Sequence, residues 1–137
     1  MLSQAYVNRF AGIGRLYGQT ALNTFAQAHV VIVGIGGVGT WVAESLARSG
    51  IGQITLIDLD DICVSNVNRQ IHALNSSVGQ MKTQAMSERL KDINPELKVN
   101  AVHTFITPKN LDKYINSDFD YVFDATDSVS AKTALIA

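Results

Sequence analysis

Two prolines, one cysteine and three histidines are all that 137 residues contain of these types, and 11 Lys and Arg nearly cancel 12 Asp and Glu. The single cysteine, Cys63, excludes an intramolecular disulfide framework and a Cys-rich structural zinc site. That usage suits a reducing compartment. A formal net charge of −1 removes bulk basicity as a reason to bind nucleic acid or anionic membrane, and leaves only a localised basic patch. No run approaches the ~18 consecutive apolar residues of a membrane span. Residues 1–9 lack the basic segment leading into an apolar run that marks a signal peptide. The expectation is a soluble, cytoplasmic chain with no membrane partner. At 47% hydrophobic and 17% charged residues the chain is too apolar to be disordered. Its length suits one domain able to bury roughly two-thirds of its unfolded surface.

Helix-like and strand-like periods alternate along the chain. Residues 1–28 read as an N-terminal arm and helix. They carry Arg9 and Arg15 with no acid, a loop is expected over 12–18 around Gly12, Gly14 and Gly18, and apolar residues recur at helical spacing from Gln19. Residues 29–137 read as one α/β domain. A compact β-branched run over 29–34 predicts a buried parallel strand. Val38, Val42, Leu46 and Ser49 then share one helical face, and Gly50 and Gly52 close that helix.

Residues 53–58 form a second strand, and a helix from Gln80 turns Met81, Ala85, Met86, Leu90 and Ile93 inward before stopping at Asn94-Pro95. Residues 97–102 alternate as a third strand, 108–118 form a helix led by Pro108, 121–124 form a fourth strand, and a last helix starts at Ser128. Strands alternating with helices imply a Rossmann-like, doubly wound, mostly parallel sheet. The sequence stops inside a helix just begun, so we expect the sheet to be incomplete and the chain to be the N-terminal half of a larger domain.

Between the first strand and its helix lies Gly34-Ile35-Gly36-Gly37-Val38-Gly39. Glycines permit the tight turn and let backbone approach a phosphate, and the helix behind them offers free N–H groups and a positive dipole end. Asp58 ends the next strand 19 residues after Gly39, the place of a carboxylate that accepts from ribose hydroxyls. These features indicate an adenine-nucleotide site and leave NAD, FAD, S-adenosylmethionine and ATP open.

Three later segments narrow the choice. The long polar loop after the second strand carries Asp60, Asp61, Asn66, Asn68, Arg69 and Gln70, where a dehydrogenase moves promptly into its next helix. Lys82 stands at a helix start, electrostatically out of place without an anion. The fourth strand ends in Asp124-Ala125-Thr126-Asp127, at the crevice end of a parallel sheet. On the glycine loop, Asp58-Leu59-Asp60, Ser65-Asn66-Val67-Asn68-Arg69-Gln70, Gly79-Gln80-Met81-Lys82 and this last motif, the chain resembles the adenylating domain of the ubiquitin-activating-enzyme superfamily. That superfamily includes the thiamine- and molybdopterin-pathway adenylyltransferases. The resemblance is nearest to the branch that cyclises threonylcarbamoyladenosine in tRNA, carried by Arg9-Phe10, Arg15-Leu16-Tyr17-Gly18, residues 68–74 and residues 124–132.

The resemblance implies attack of a carboxylate oxygen on the α-phosphate of ATP with Mg²⁺ present, and pyrophosphate leaving. It implies that Arg69 and Lys82 contact the phosphates, that Asp127 holds Mg²⁺, that Asp58 binds ribose, and that Asp60 and Asn66 line the nucleotide region. The glycine positions of the cradle are Gly34, Gly36, Gly37 and Gly39. It implies a homodimer in which Arg9, with Arg15 as competitor, reaches the γ-phosphate held by the other subunit. The implied substrate is tRNA; a ubiquitin-like sulfur-carrier protein, with a sulfur-transfer partner, and a nucleotide-binding chain without turnover are the alternatives. By its surroundings, Asp127 also suits the N-cap of the last helix. Cys63, beside two acids, reads as a buried structural thiol, Trp41 as packing, and the three histidines as having no chemical role.

Overall fold

The computed structural model describes residues 1–116 and 118–137. Four strands, β1 (His29–Val33), β2 (Gln53–Asp58), β3 (Lys98–His103) and β4 (Tyr121–Asp124), form one parallel sheet in the order β3-β2-β1-β4. Ile32 pairs with Leu56 on one side and Phe123 on the other. Helices α1 (Gln4–Tyr17) and α2 (Gln19–Gln27) precede the sheet, α3 (Gly37–Arg48) and α4 (Lys82–Ile93) follow β1 and β2, and α5 (Leu111–Tyr114) and α6 (Val129–Ile136) flank β4. This is the doubly wound arrangement expected from the alternating pattern.

β1 is apolar without alternation because both of its faces are covered. Val30 and Ile32 pack with Ile54 and Leu56 against Ala43 and Ala47 of α3 and Met86 and Leu90 of α4. Val31 and Val33 join Ile57, Ile106 and Ala131 on the opposite face. At about 25 cal/mol per Å² this two-sided burial is the main force holding the sheet. α3 ends as expected: Gly50, at φ 90°, donates to Ala47 O, and Ile51 donates to Leu46 O, closing a Schellman turn.

Five local expectations need correction. Residues 12–17 are helical, not loop: Ser3 caps α1 by accepting from Tyr6 N, and Tyr6 and Phe10 bury against Leu22 of α2. Gly14 permits that contact, since a Cβ there would stand 3.3 Å from Leu22 Cδ2. Packing thus outweighs the ~1 kcal/mol that each glycine costs a helix. The helices are also fastened to the sheet, because Tyr6 Oη donates to Gly50 O at 2.5 Å. On α3 the inward face is Gly39, Thr40, Ala43 and Ala47, and Val38 is 68% exposed. Small residues win that face because the helix start sits almost on the preceding backbone.

α4 begins at Lys82 and leaves Met81 exposed. The helix expected over 108–118 is reduced to Leu111–Tyr114, with Ser117 outside the described residues. Asn110 accepts from Thr107 N and donates to Phe105 O, so a side chain captures this backbone in a turn before a helix can begin. Cys63, finally, is exposed; its backbone leads a single 3₁₀ turn over Val64–Asn66, its N–H donating to Asn66 Oδ1 and its carbonyl accepting from Asn66 N.

Candidate functional site

A cavity of about 920 Å³ opens at the carboxyl ends of the strands, beside the β1–β4 pair where the winding direction reverses. Ligand crevices of open α/β sheets lie at this switch point. The glycine loop forms its floor. Gly39 is obligatory, since a Cβ would stand 1.8 Å from Gly34 O. Gly34, at φ 94°, would push a Cβ to 2.8 Å from the backbone of Ala125 and Thr126. The loop is therefore wedged between α3 and the chain leaving β4. No side chain caps α3, whose N-terminus borders the cavity at Gly36 and Gly37.

Asp58 reaches the cavity from the end of β2. Its Oδ2 accepts from Ile35 N at 2.7 Å and its Oδ1 from Asp60 N at 2.8 Å, so the carboxylate is fixed with lone pairs to spare. The polar loop then folds back on itself. Ile62 N donates to Gln80 O, Gly79 N donates to Ile62 O, and Lys82 N donates to Asp60 O at 3.1 Å. This clasp, turning at Gly79 (φ 94°), brings Asp60 and Lys82 to one wall. Lys82 is only 7% exposed and its amine has no hydrogen bond or carboxylate partner among the described residues. Its stem is buried while the residue lines the cavity, where an anion would supply the missing partner.

Asn66 staples the loop: its Oδ1 accepts from Cys63 N at 2.8 Å and its carbonyl accepts from Gln70 N at 2.9 Å. Arg69 lies along Gly37, donates only to Ser65 O and Asn68 Oδ1, and meets no carboxylate among the described residues. Two cations without acidic partners thus share one cavity with a free helix N-terminus. Asp127 lines the same cavity, exposed and without a side-chain bond. It does not cap α6, because Ser128 Oγ accepts from Ala131 N. Asp124 is occupied by Lys132 at 3.1 Å. Arg9 lies elsewhere, donating to Ile93 O and Ala5 O.

Three residues at the site have roles that the sequence reading missed. Trp41 is 55% exposed, borders the cavity, and donates from Nε1 to Arg69 O at 3.0 Å. Gln70 is 5% exposed with a buried, unpartnered Oε1. His72 is buried, and burial holds its imidazole below the ordinary pKa. Polar residues directly following Arg69 were the available signal for the last two.

The sheet order, the wedged glycine loop and the cationic crevice define a Rossmann-like α/β domain with a ligand crevice suited to an anion. The chain belongs to the ThiF family, whose match runs over residues 8–137. It is 56% identical over all 137 residues to the tRNA threonylcarbamoyladenosine dehydratase of Escherichia coli, covering 51% of that protein. To the dehydratase of Bacillus subtilis it is 45% identical over 119 residues, covering 87% of this chain and 47% of that one. Identity to the molybdopterin-synthase adenylyltransferase of Escherichia coli is 35% over 120 residues, covering 88% and 47%. Among solved structures, the Escherichia coli dehydratase in complex with ATP superposes with a TM-score of 0.97 at 56% identity, over 99% of this chain and 56% of that one. The chain spans about half the length of the curated relatives it matches.

Proposed function

We propose that the cavity binds ATP and that the chain takes part in adenylating a carboxylate, that of threonylcarbamoyladenosine in tRNA. The observation carrying this reading is the pair Arg69 and Lys82, unpaired with acids, at one cavity with the N-terminus of α3. Attack of a carboxylate on an α-phosphate joins two anions, so the site must neutralise charge. Lys82 holds its amine at the phosphates because the clasp to Asp60 fixes the first turn of α4. Arg69 covers the glycine loop from above. Asp58 presents its free lone pairs to the ribose, and Asp60 and Asn66 complete the wall. The likeness to a dehydratase crystallised with ATP supports the same nucleotide here.

The residues fit Mg²⁺ of the phosphate-borne kind. Among the described residues no group of three or more His, Cys, Asp or Glu side chains could hold a metal. Mg²⁺ is commonly held by one or two carboxylates with substrate phosphates and water, and Asp127 supplies such a carboxylate. Bound there, the ion would neutralise charge on phosphate oxygens. Arg9, outside its own cavity, serves the cavity of a second copy in a homodimer.

ATP–pyrophosphate exchange by the full chain tests the reading. Exchange stimulated by tRNA bearing threonylcarbamoyladenosine is expected. Stimulation by a ubiquitin-like sulfur-carrier protein and not by tRNA would overturn the substrate. That second reading is favoured by the more distant adenylyltransferase relatives.

A further inference from the structure

The segment after Arg69 is keyed residue by residue onto the glycine loop and the start of α3. Arg69 lies along Gly37, Gln70 Nε2 stands beside Gly36, Ile71 N donates to Thr40 Oγ1, and Thr40 Oγ1 donates to Gly36 O. His72 completes the series: its Nε2 lies 2.9 Å from Ile35 O. A carbonyl only accepts, so Nε2 carries the proton, and the buried Nδ1 has no partner. Ile35 is thus held at both ends, its N–H by Asp58 and its C=O by His72.

That second bond has a directional consequence. Among the described residues no peptide bond is cis, and in a trans peptide the C=O and the following N–H point in opposite directions. Anchoring Ile35 O on His72 turns the Gly36 N–H to the other side. Gly36 lines the cavity, and its N–H makes no hydrogen bond with a described residue. We propose that His72 is a positioning residue that locks the Ile35–Gly36 peptide so that the Gly36 N–H is presented to a phosphate of the bound nucleotide. This role rests on the reading of the cavity as an ATP site. Its physics is that of a preorganised donor, which costs no reorganisation when the anion arrives.

The environment keeps the imidazole in the required form. Burial holds its pKa down; the bond to Ile35 O and the charge of Asp58 oppose this, while the charge of Lys82 adds to it. Those are the charged groups that face the ring. Ser77 Oγ donates to His72 O at 2.5 Å and fixes its backbone.

Calorimetry with ATP and with adenosine, on the full chain and on His72→Phe and His72→Gln, separates positioning from mere packing. His72→Phe is expected to lose about tenfold or more in ATP affinity, the weight of one hydrogen bond to a charged group, with adenosine affinity unchanged. His72→Gln, which keeps an amide donor near the place of Nε2, restores most of it. Equal losses for ATP and adenosine, or no loss of ATP affinity in a folded His72→Phe, overturn the inference. So does a His72→Gln that binds ATP no better than His72→Phe. If His72→Phe does not fold, imidazole nitrogen shifts in the wild-type chain decide: an Nε2–H tautomer is required, and an Nδ1–H tautomer overturns the proposal. A wild-type chain that binds neither ATP nor adenosine defeats the nucleotide reading itself and this inference with it, whereas any other failure defeats the inference alone.

Discussion

Lys82 and Asp127 show how differently two residues of one cavity contribute. Lys82 buries its stem and has no carboxylate partner among the described residues, so its charge adds little to the empty fold and serves the liganded one. Replacing it by Met, which keeps most of the apolar stem, should leave the melting temperature little changed while ATP affinity falls at least about tenfold, which thermal melts and calorimetry check together. Asp127 is exposed and unbonded. Asp127→Ala should alter stability by less than about 0.5 kcal/mol while reducing the Mg²⁺ dependence of ATP binding.

Two titrations belong to the same scale. His72 has its pKa lowered by burial, so the unfolded chain binds its proton first as pH falls. The stability it contributes is complete above about pH 6.5 and declines as pH falls below that value, a slope that His72→Gln should remove. For Glu44, burial raises the pKa, but hydrogen bonds and charges of Arg89 and Arg48 prevail and lower it. Its contribution is therefore present above the ordinary carboxylate pKa and lost at lower pH, as the folded carboxyl protonates. Arg89 reaches Glu44 at 2.7 Å but is 37% solvent-exposed on its side chain. Arg89→Ala should cost about 1–2 kcal/mol by denaturant titration, less than a fully buried pair.

Among elements, β1 and β2 were legible because two-sided burial imposes apolar, β-branched runs, and the glycine loop because at Gly34 and Gly39 a side chain would collide with backbone. Gly39→Ala should destabilise by about 3 kcal/mol or more, since its Cβ meets Gly34 O at 1.8 Å. Gly79→Ala meets nothing within 4 Å and should cost only the ~1–2 kcal/mol of a left-handed backbone. Equal losses in chemical denaturation would contradict the distinction. α1 was hidden because its glycines argue against a helix locally, and only Leu22, from a later helix, explains Gly14. α5 was overestimated because a single side chain, Asn110, diverts the backbone. Arg69 and Lys82 could be assigned to the crevice from the motifs that carry the family resemblance, and both line it. His72 could not, because its meaning depends on a carbonyl 37 residues away in sequence.

Over the whole molecule, a net charge of −1 conceals a crevice whose two cations lack acidic partners among the described residues. Composition averages over that asymmetry, and only the fold brings the two together. The role proposed for Arg9 belongs to this scale, because Arg9 lies outside the cavity of its own chain, bonded to Ile93 O and Ala5 O. In a two-fold dimer, mixing Arg9→Ala with Lys82→Ala chains should restore about a quarter of wild-type exchange, as half the dimers are mixed and each rebuilds one of two sites. No recovery would place any action of Arg9 within its own chain or remove it.

The central claim, that this crevice is built for ATP and not for a dinucleotide, is tested most directly by titrating the wild-type chain with ATP and with NADH under identical conditions. The fold and the unpaired cations predict binding of ATP at least about tenfold tighter than of NADH, with ATP affinity lost in Lys82→Met. Tight NADH binding without ATP binding would contradict the account.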